Sequence, residues 1–510
     1  MKRNVALEKE NERLREELKI ARAQLTSSER ERDALARLLA NLRGRTYGRS
    51  SEKLAPGQQT FEFMTELVEE AESEVEEEIE EEASEQKRKR RPKRRKPESI
   101  PDSIERKRIV LDVDPELRVC GCCNKDMQQI GEDVTVELEY IPAKVIVNET
   151  VRPKYACPPC GDGVLQEPLP PRPIKKGLPG VGLLTHVLVS KYVEHMPLYR
   201  QEKAFKRQGI ELSRSTLCDW VQAMAKLLLP IWLSLKREVL ESSLIQADET
   251  PTKVLSKQGV KKGYLWTYGI PWEEVVFDFA EGRGGTFVEE FLRDYEGHVQ
   301  CDGYSGYDGL NPKRIVRLGC WAHARRRFYD ARSESRAAKV ALAAIQSLYR
   351  IEREVRAEKL SGEALVAYRR EHALPTLEKL KSYLEERRAH FLPKTLTGDA
   401  IGYTLNQWSA LERYVDVPEA QIDNNGIENA IRPIAVGRKN WLFVGHRNAG
   451  PRAATILSLV GTCMRLGIDP AVYLRDVIER MAADPSQAEE LTPRRWRARR
   501  EAHAAENATP

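Results

Sequence analysis

Three carboxylates in the second half of the chain stand where packing alone does not explain them. Asp248 lies in Leu244-Ile-Gln-Ala-Asp-Glu-Thr-Pro-Thr252, closing what reads as a buried strand. An unpaired charge there is costly unless it is paired or holds a metal. Asp302 closes a second apolar run from His298, and Glu428 follows Asp423-Asn-Asn-Gly-Ile at the start of a helical pattern. Three such acids suit two magnesium (or manganese) ions, which would activate water or a 3′ hydroxyl and steady the leaving oxygen at a phosphodiester. Asp423 competes for the third place, although an aspartate before a helix is usually its cap. A second set of residues, Cys120-x-x-Cys123 and Cys157-x-x-Cys160, has the spacing of two zinc knuckles, and four thiolates hold Zn2+ tetrahedrally. Cys122 is the spare thiol, able to replace Cys120 only with strained spacing.

The acids need elements to bring them together. Leu244 to Asp248 reads as a strand, followed by a hairpin of Tyr264 to Tyr268 and Val275 to Phe279 around Gly269-Ile-Pro-Trp. A helix from about Thr286 to Tyr295 and a strand from His298 to Asp302 complete the order of a ribonuclease-H-like core. In that order the first and fourth strands are neighbours, so Asp248 and Asp302 would face each other across a metal. Glu249 would point to the opposite face of its strand, which favours its neighbour as the ligand. Thr250 and Thr252 are candidate phosphate contacts. The charged helical stretch from Arg325 to about His390 reads as an all-helical insertion leading to Tyr403-Thr-Leu-Asn-Gln-Trp408. Asp423 is placed to cap the helix that carries Glu428.

A chain of 510 residues is too long for one core, so several domains are expected. The net charge is only +5, yet an acidic run from Glu66 to Glu85 is followed by the basic Lys87 to Lys96, and Arg494 to Arg500 form a second basic cluster. Such patches suit a polyanion. Nine cysteines without disulfide-framework spacing favour reduced thiols and a metal. There is no apolar signal region and no membrane-spanning run, which implies a cytoplasmic protein with no membrane partner. Leu7, Leu14, Ala21, Leu35 and Leu42, with Leu18, Leu25 and Leu39, form heptad seams, and Asn4 and Asn11 fall in the second seam. A parallel coiled-coil dimer follows. Beyond Pro56 and Gly57 the composition to about Pro101 is that of a flexible linker. Further on, Leu198 to Gly209 reads as a helix ended by glycine, and Ser213 or Ser215 as the cap of a second helix from Thr216. That is a helix-turn-helix pattern, with Arg214 and Thr216 at the start of its second helix as candidate DNA contacts.

Several of these stretches together resemble the transposases of the IS66 insertion-sequence family. They are Tyr47-Gly-Arg-Ser-Ser-Glu-Lys-Leu, the cysteine knuckles with Val151-Arg-Pro-Lys-Tyr-Ala-Cys157, Tyr199-Arg-Gln-Glu and Gln246-Ala-Asp-Glu-Thr-Pro. Later come Cys301-Asp-Gly-Tyr, Gly319-Cys-Trp-Ala-His-Ala-Arg-Arg, Asp423-Asn-Asn, Glu428-Asn-x-x-Arg-Pro and Gly437-Arg-Lys-Asn-Trp. The resemblance covers nearly the whole chain in order. It implies a DDE transposase whose triad maps onto Asp248, Asp302 and Glu428. Cys320-x-x-His323 would then be a signature with a structural role beside the acids. Arg325, Arg326, Arg432, Arg438 and Lys439 flank the acids and are natural phosphate contacts. Trp408 and Trp441 read as core, with stacking on a displaced base as the alternative.

The expected architecture is a multidomain α/β protein. It comprises a coiled-coil helix (1–50), an acidic and basic linker (51–104), a zinc-binding domain (105–170), a helical helix-turn-helix-like DNA-binding domain (171–238), a ribonuclease-H-like catalytic domain (239–450) with a helical insertion at about 330–405, and a C-terminal helical element with a basic tail (451–510). The expected function is binding of element ends, metal-dependent cutting and joining of 3′ ends to target DNA. The expected setting is the nucleoid of a bacterial cytoplasm, with a homodimer or higher oligomer and small accessory proteins as partners. The rival readings are a DNA-binding regulator with an inactive nuclease-like core and a purely hydrolytic nuclease.

Overall fold

The computed structural model describes Cys122 and residues 145–156, 164–175, 177–256 and 258–508. The expected coiled coil, the linker and the four zinc-knuckle cysteines Cys120, Cys123, Cys157 and Cys160 lie outside the described residues. A two-stranded ribbon, β1 (Tyr155–Ala156) and β2 (Val164–Leu165), pairs antiparallel.

Three helices follow: α1 (Val181–Tyr192), α2 (Leu198–Arg207) and α3 (Arg214–Leu240). Ser213 caps α3, its Oγ accepting the Thr216 N–H at 3.2 Å. α3 runs far beyond the short second helix expected from the sequence, because apolar residues recur at helical spacing to Val239 and bury one face. Pro230 is accommodated within it.

The central sheet holds β3 (Leu244–Ser256), β4 (Gly259–Gly269), β5 (Val275–Ala280), β6 (Gly297–Gln300) and β7 (Ile315–Leu318) in the order β5-β4-β3-β6-β7. β3, β4 and β5 pair antiparallel; β6 joins β3, and β7 joins β6, in parallel. β3 does not stop at Asp248 but continues for eight residues to Ser256, paired throughout with β4. The short helix α4 (Gly285–Phe291) crosses from β5 to β6.

Beyond β7 lie α5 (Trp321–Ala331), α6 (Arg336–Ala357), α7 (Gly362–His372), α8 (Leu374–Arg388), α9 (Leu396–Asn406) and α10 (Trp408–Glu412). α11 (Asn425–Trp441) returns to β3 and β4, and α12 (Ala449–Arg465), α13 (Pro470–Ala483) and α14 (Pro493–Ala508) close the chain.

Two hydrophobic cores result. One joins α1 to α3, the sheet, α12 and α13 through residues such as Leu188, Leu228, Ile245, Ala247, Phe277, Val460 and Val477. The stretches 171–238 and 451–510, expected as elements of their own, thus share one core with the sheet. The second core belongs to the inserted helices and takes Leu244 and Leu318 from the sheet. Successive β3 residues point to opposite faces, so Leu244, Gln246 and Asp248 share one face, and Ile245, Ala247 and Glu249 the other. The basic C-terminal helix is anchored by its arginines: Arg494 pairs with Glu273 at 2.5 Å and with the buried Glu274, Arg495 with Glu238 at 2.7 Å, and Arg499 with Glu490. These arginines fasten α14 to the body, which replaces the idea of a basic tail free to hold DNA.

Candidate active site

The parallel register of β3 and β6 matches Gln246 with Gln300. The same offset carried two residues on sets Asp248 beside Asp302, on the face that carries the two glutamines. Each carboxylate is held by a backbone N–H: Asp248 Oδ1 accepts from Glu249 at 2.7 Å, and Asp302 Oδ1 from Tyr304 at 3.0 Å. Glu428 lies in the first turn of α11, where the helix N-terminus favours an acid.

The three acids share one electrostatic neighbourhood. Burial pushes the Asp248 carboxyl well above the usual carboxylate range, and the charges of Glu428, Glu249 and Asp302 push it further. Glu428 is raised by burial too, and by Asp423 and Asp302, against the pull of His323 and Arg326. Like charges in one neighbourhood repel, and a cation among them would relieve the repulsion.

Glu249 is elsewhere. Its side chain is 3% exposed and meets Arg283 at 2.5 Å, on the face away from Asp248. Asp423 is also occupied: it accepts the Tyr349 hydroxyl at 2.9 Å and the Asn425 backbone N–H at 3.1 Å, so it closes a turn just before α11, while the N-cap position itself is Asn424, which makes no side-chain cap bond.

What seats α11 is a pair of glutamines that the search for charged chemistry passed over. Gln246 and Gln300 are both 0% exposed. Gln246 Nε2 donates to Gln300 Oε1 at 2.9 Å and to the Asp423 carbonyl at 3.0 Å, while its Oε1 accepts the Ile427 N–H at 3.0 Å. Gln300 donates to the carbonyls of Gln421 at 2.5 Å and Gly319 at 3.3 Å. One buried side chain thereby bonds the backbone on both sides of the Asn-Asn-Gly turn, one residue before Glu428. Gly426 is required there, since a Cβ at that position would come within 2.6 Å of Gln246 Oε1. The sequence signal was available: a glutamine inside an apolar strand must find partners.

Cys320 and His323 stand beside Glu428, and one ligand atom from each of the three falls within 4.8 Å of the others. His323 Nδ1 is 3.8 Å from Glu428 Oε1, and the buried Cys320 Sγ accepts the Asn424 N–H at 3.5 Å. The helical insertion also reaches the site, because Tyr403 on α9 accepts the Gly303 N–H at 3.1 Å, next to Asp302.

Among the expected phosphate contacts, Arg326, Lys439 and Arg214 are exposed, and Arg325, Arg432 and Thr216 half-buried. Arg325 lies 6.0 Å from the centre of the Tyr349 ring. Arg438, half-buried, donates to the Pro251 carbonyl, so it braces α11 against β3, and burial lowers its pKa. Thr250 and Thr252 are corrected, being 5% and 2% exposed and so out of reach of a phosphate. Trp408 is core, edge-on to Trp321 at 5.8 Å. Trp441 is half-buried at the far end of α11.

Residues 176–452 match the family model described as "Transposase IS66 family". Residues 118–161, which include Cys120, Cys123, Cys157 and Cys160, match the zinc-finger binding domain of transposase IS66, and residues 34–109 match "Transposase C of IS166 homeodomain". The chain is 33% identical over 408 residues to the uncharacterized protein y4jD of Sinorhizobium fredii, covering 76% of this chain and 80% of that protein. It is 35% identical over 409 residues to y4qI of the same organism, covering 76% and 75%. Among the described residues no helix is long and apolar enough to cross a membrane. With the main family model spanning more than half of its length, the chain belongs to the IS66 family of transposases.

Proposed function

We propose that the protein cuts DNA at the ends of its own insertion sequence and joins the freed 3′ hydroxyls to target DNA, with Asp248, Asp302 and Glu428 as the catalytic acids. The observation that supports this reading is the parallel pairing of β3 with β6, with Asp248 on the first strand and Asp302 two residues past the end of the second, and the charges of Glu428 and Asp302 both acting on Asp248. The sheet order, with its second strand antiparallel and the first and fourth adjacent, supports a ribonuclease-H-like core.

The donor set fits hard divalent cations: three carboxylates, two with pKa values raised by burial and by neighbouring carboxylates, supply oxygens and an excess of negative charge. Magnesium or manganese bound there would lower the pKa of an attacking hydroxyl and stabilise charge on the leaving oxygen. The chain's own residues do the rest. The glutamine pair fixes Glu428 relative to the strands, His323 and Cys320 steady the start of α11, and Arg326 with Lys439 offers charge to the DNA backbone. The match over the four cysteines supports structural zinc in 105–170. The N-terminal heptads support dimerisation; small accessory proteins and a place at the nucleoid are further expectations of the reading.

Incubation with magnesium and DNA carrying the element ends, comparing the natural chain with Asp302→Asn, tests the proposal. Cleavage by the natural chain alone supports it, and equal activity in the two sinks the triad. Labelled 3′ ends that appear joined to target DNA exclude a purely hydrolytic nuclease. Specific end binding without any magnesium-dependent cleavage would leave the regulator.

A further inference from the structure

A cavity of about 270 Å³ opens between α1, α3, the end of α11 and the start of α12, away from the carboxylates. Its wall combines aromatic rings and cations: Trp441, Phe443, His446 and His195, with Lys191 and Arg452. Lys191 is half-buried, and burial lowers its pKa. Among the described residues neither Lys191 nor Arg452 has a carboxylate within ion-pair distance, and the lysine ammonium lies 5.2 Å from the centre of the Tyr192 ring. A half-buried ammonium without a counter-ion, at the wall of a cavity, is well placed to meet a ligand that brings negative charge or acceptors to it.

The wall is built for this position. Residues 444–446 lie along the outer half of β3, where the Val444 N–H donates to the Lys253 carbonyl at 2.9 Å and the Leu255 N–H to the Gly445 carbonyl at 2.7 Å. His195 takes a positive φ of 57° and presses on Gly437, where a Cβ would come within 2.5 Å of its Nδ1. A strained non-glycine residue persists where the surroundings over-determine it. Phe443 remains 41% exposed at the rim.

We propose that this cavity receives one nucleotide turned out of the DNA duplex, its base against Trp441 and His446 and its phosphate met by Lys191 and Arg452. Rings accept any base by stacking, and paired cations suit the phosphate of the same nucleotide. The space is large enough for a single base. Thirteen residues of α11 separate Trp441 from Glu428, roughly 20 Å at helical rise. On B-form DNA that is about six base pairs. Only this position along the DNA depends on the acids being the cutting centre; the cavity's ligand does not.

The test uses the full chain and two duplexes of one sequence, one fully paired and one with a single bulged 2-aminopurine, read by fluorescence anisotropy. The bulged duplex should bind at least roughly tenfold tighter, the scale of one base stacked on an aromatic ring. Lys191→Met and Trp441→Ala should lose that preference while keeping their affinity for the paired duplex. Asp302→Asn should keep it, which separates this site from the catalytic reading. Cys218 lines the cavity and is exposed, so its alkylation by N-ethylmaleimide, mapped by mass spectrometry, gives a readout that needs no substitution. The bulged duplex should slow it several-fold and the paired duplex should not. Equal binding of the two duplexes, or Cys218 labelling indifferent to the bulge, overturns the proposal; binding of neither duplex overturns it together with the DNA-binding reading.

Discussion

The two aspartates and the glutamate of the proposed site are held in place by different means. Asp248 rides on β3 and Asp302 follows β6 by two residues, so both are placed by the backbone of neighbouring parallel strands, whose ladder ends at the Gln246–Gln300 pair. Glu428 rides on a helix whose first turn has no ladder to the sheet, and it is seated by a few side chains: Gln246, Gln300, Cys320 and His323. A backbone lattice distributes the load over many bonds, whereas a clamp concentrates it in a few. The strand acids should therefore be sensitive only to changes in themselves, and the helix acid also to changes in its supports.

The largest expected effect tests whether Glu428 belongs to the triad at all. Glu428→Gln should lower magnesium-dependent cleavage by about a thousandfold, the scale of several kcal/mol of transition-state stabilisation. Asp423→Asn should lower it by less than about tenfold, because its carboxylate serves Tyr349 and Asn425. Reversal of the two would move the third acid to Asp423.

Next comes the support beneath the loop that leads to α11. Arg369 is 2% exposed, holds Glu352 through two bonds of 2.8 Å and donates to the carbonyls of Tyr414, Val417 and Ala420. Arg369→Ala leaves a buried carboxylate and three carbonyls unpaired, so thermal or denaturant unfolding should show a loss of about 3–5 kcal/mol. An unchanged unfolding midpoint would mean that this layer does not support the fold.

The sharpest probe of the clamp is Gln246→Leu, which keeps the strand but takes its amide away from the Asp423 carbonyl and from the Ile427 N–H, which is then left with the Asn424 carbonyl. Removing a supporting hydrogen bond of this kind costs about 10–100-fold in activity, and about 1–3 kcal/mol in stability. Cleavage at the natural rate in a folded Gln246→Leu protein would show that Glu428 is placed by α11 packing alone. The smallest effect belongs to Glu249→Gln, which faces Arg283; cleavage should change by no more than a few-fold, measured at saturating magnesium.

Some of the candidate site's placement was legible in the sequence, since alternation along Leu244 to Asp248 separates Asp248 from Glu249, and β3 and β6, the strands that lead to Asp248 and Asp302, do pair in parallel. Less legible was the extent of β3. The run from Glu249 to Ser256 is rich in polar residues, and its strand character comes from pairing with β4 across a turn that composition does not mark as a hairpin. The clamp escaped notice because glutamine carries no charge and no titration, and its value depends on partners 54 and 177 residues away. The C-terminal arginines misled for the related reason that a basic cluster looks the same whether its counter-ions are phosphates or Glu273, Glu274 and Glu238.

The sequence by itself determined the local choices: which runs alternate, which helices are capped, which residues have carboxylates or thiols to offer. These depend on neighbours within a turn or a pleat, so near-range order is enough to write them. The tertiary structure decided which groups meet. It spent the basic C-terminal helix on acids of the body, buried Thr250 and Thr252, turned Arg438 into a brace, and gave Glu428 its seat through two buried glutamines. Those outcomes turn on desolvation and on hydrogen bonds between distant segments, and both are set only when the segments are packed.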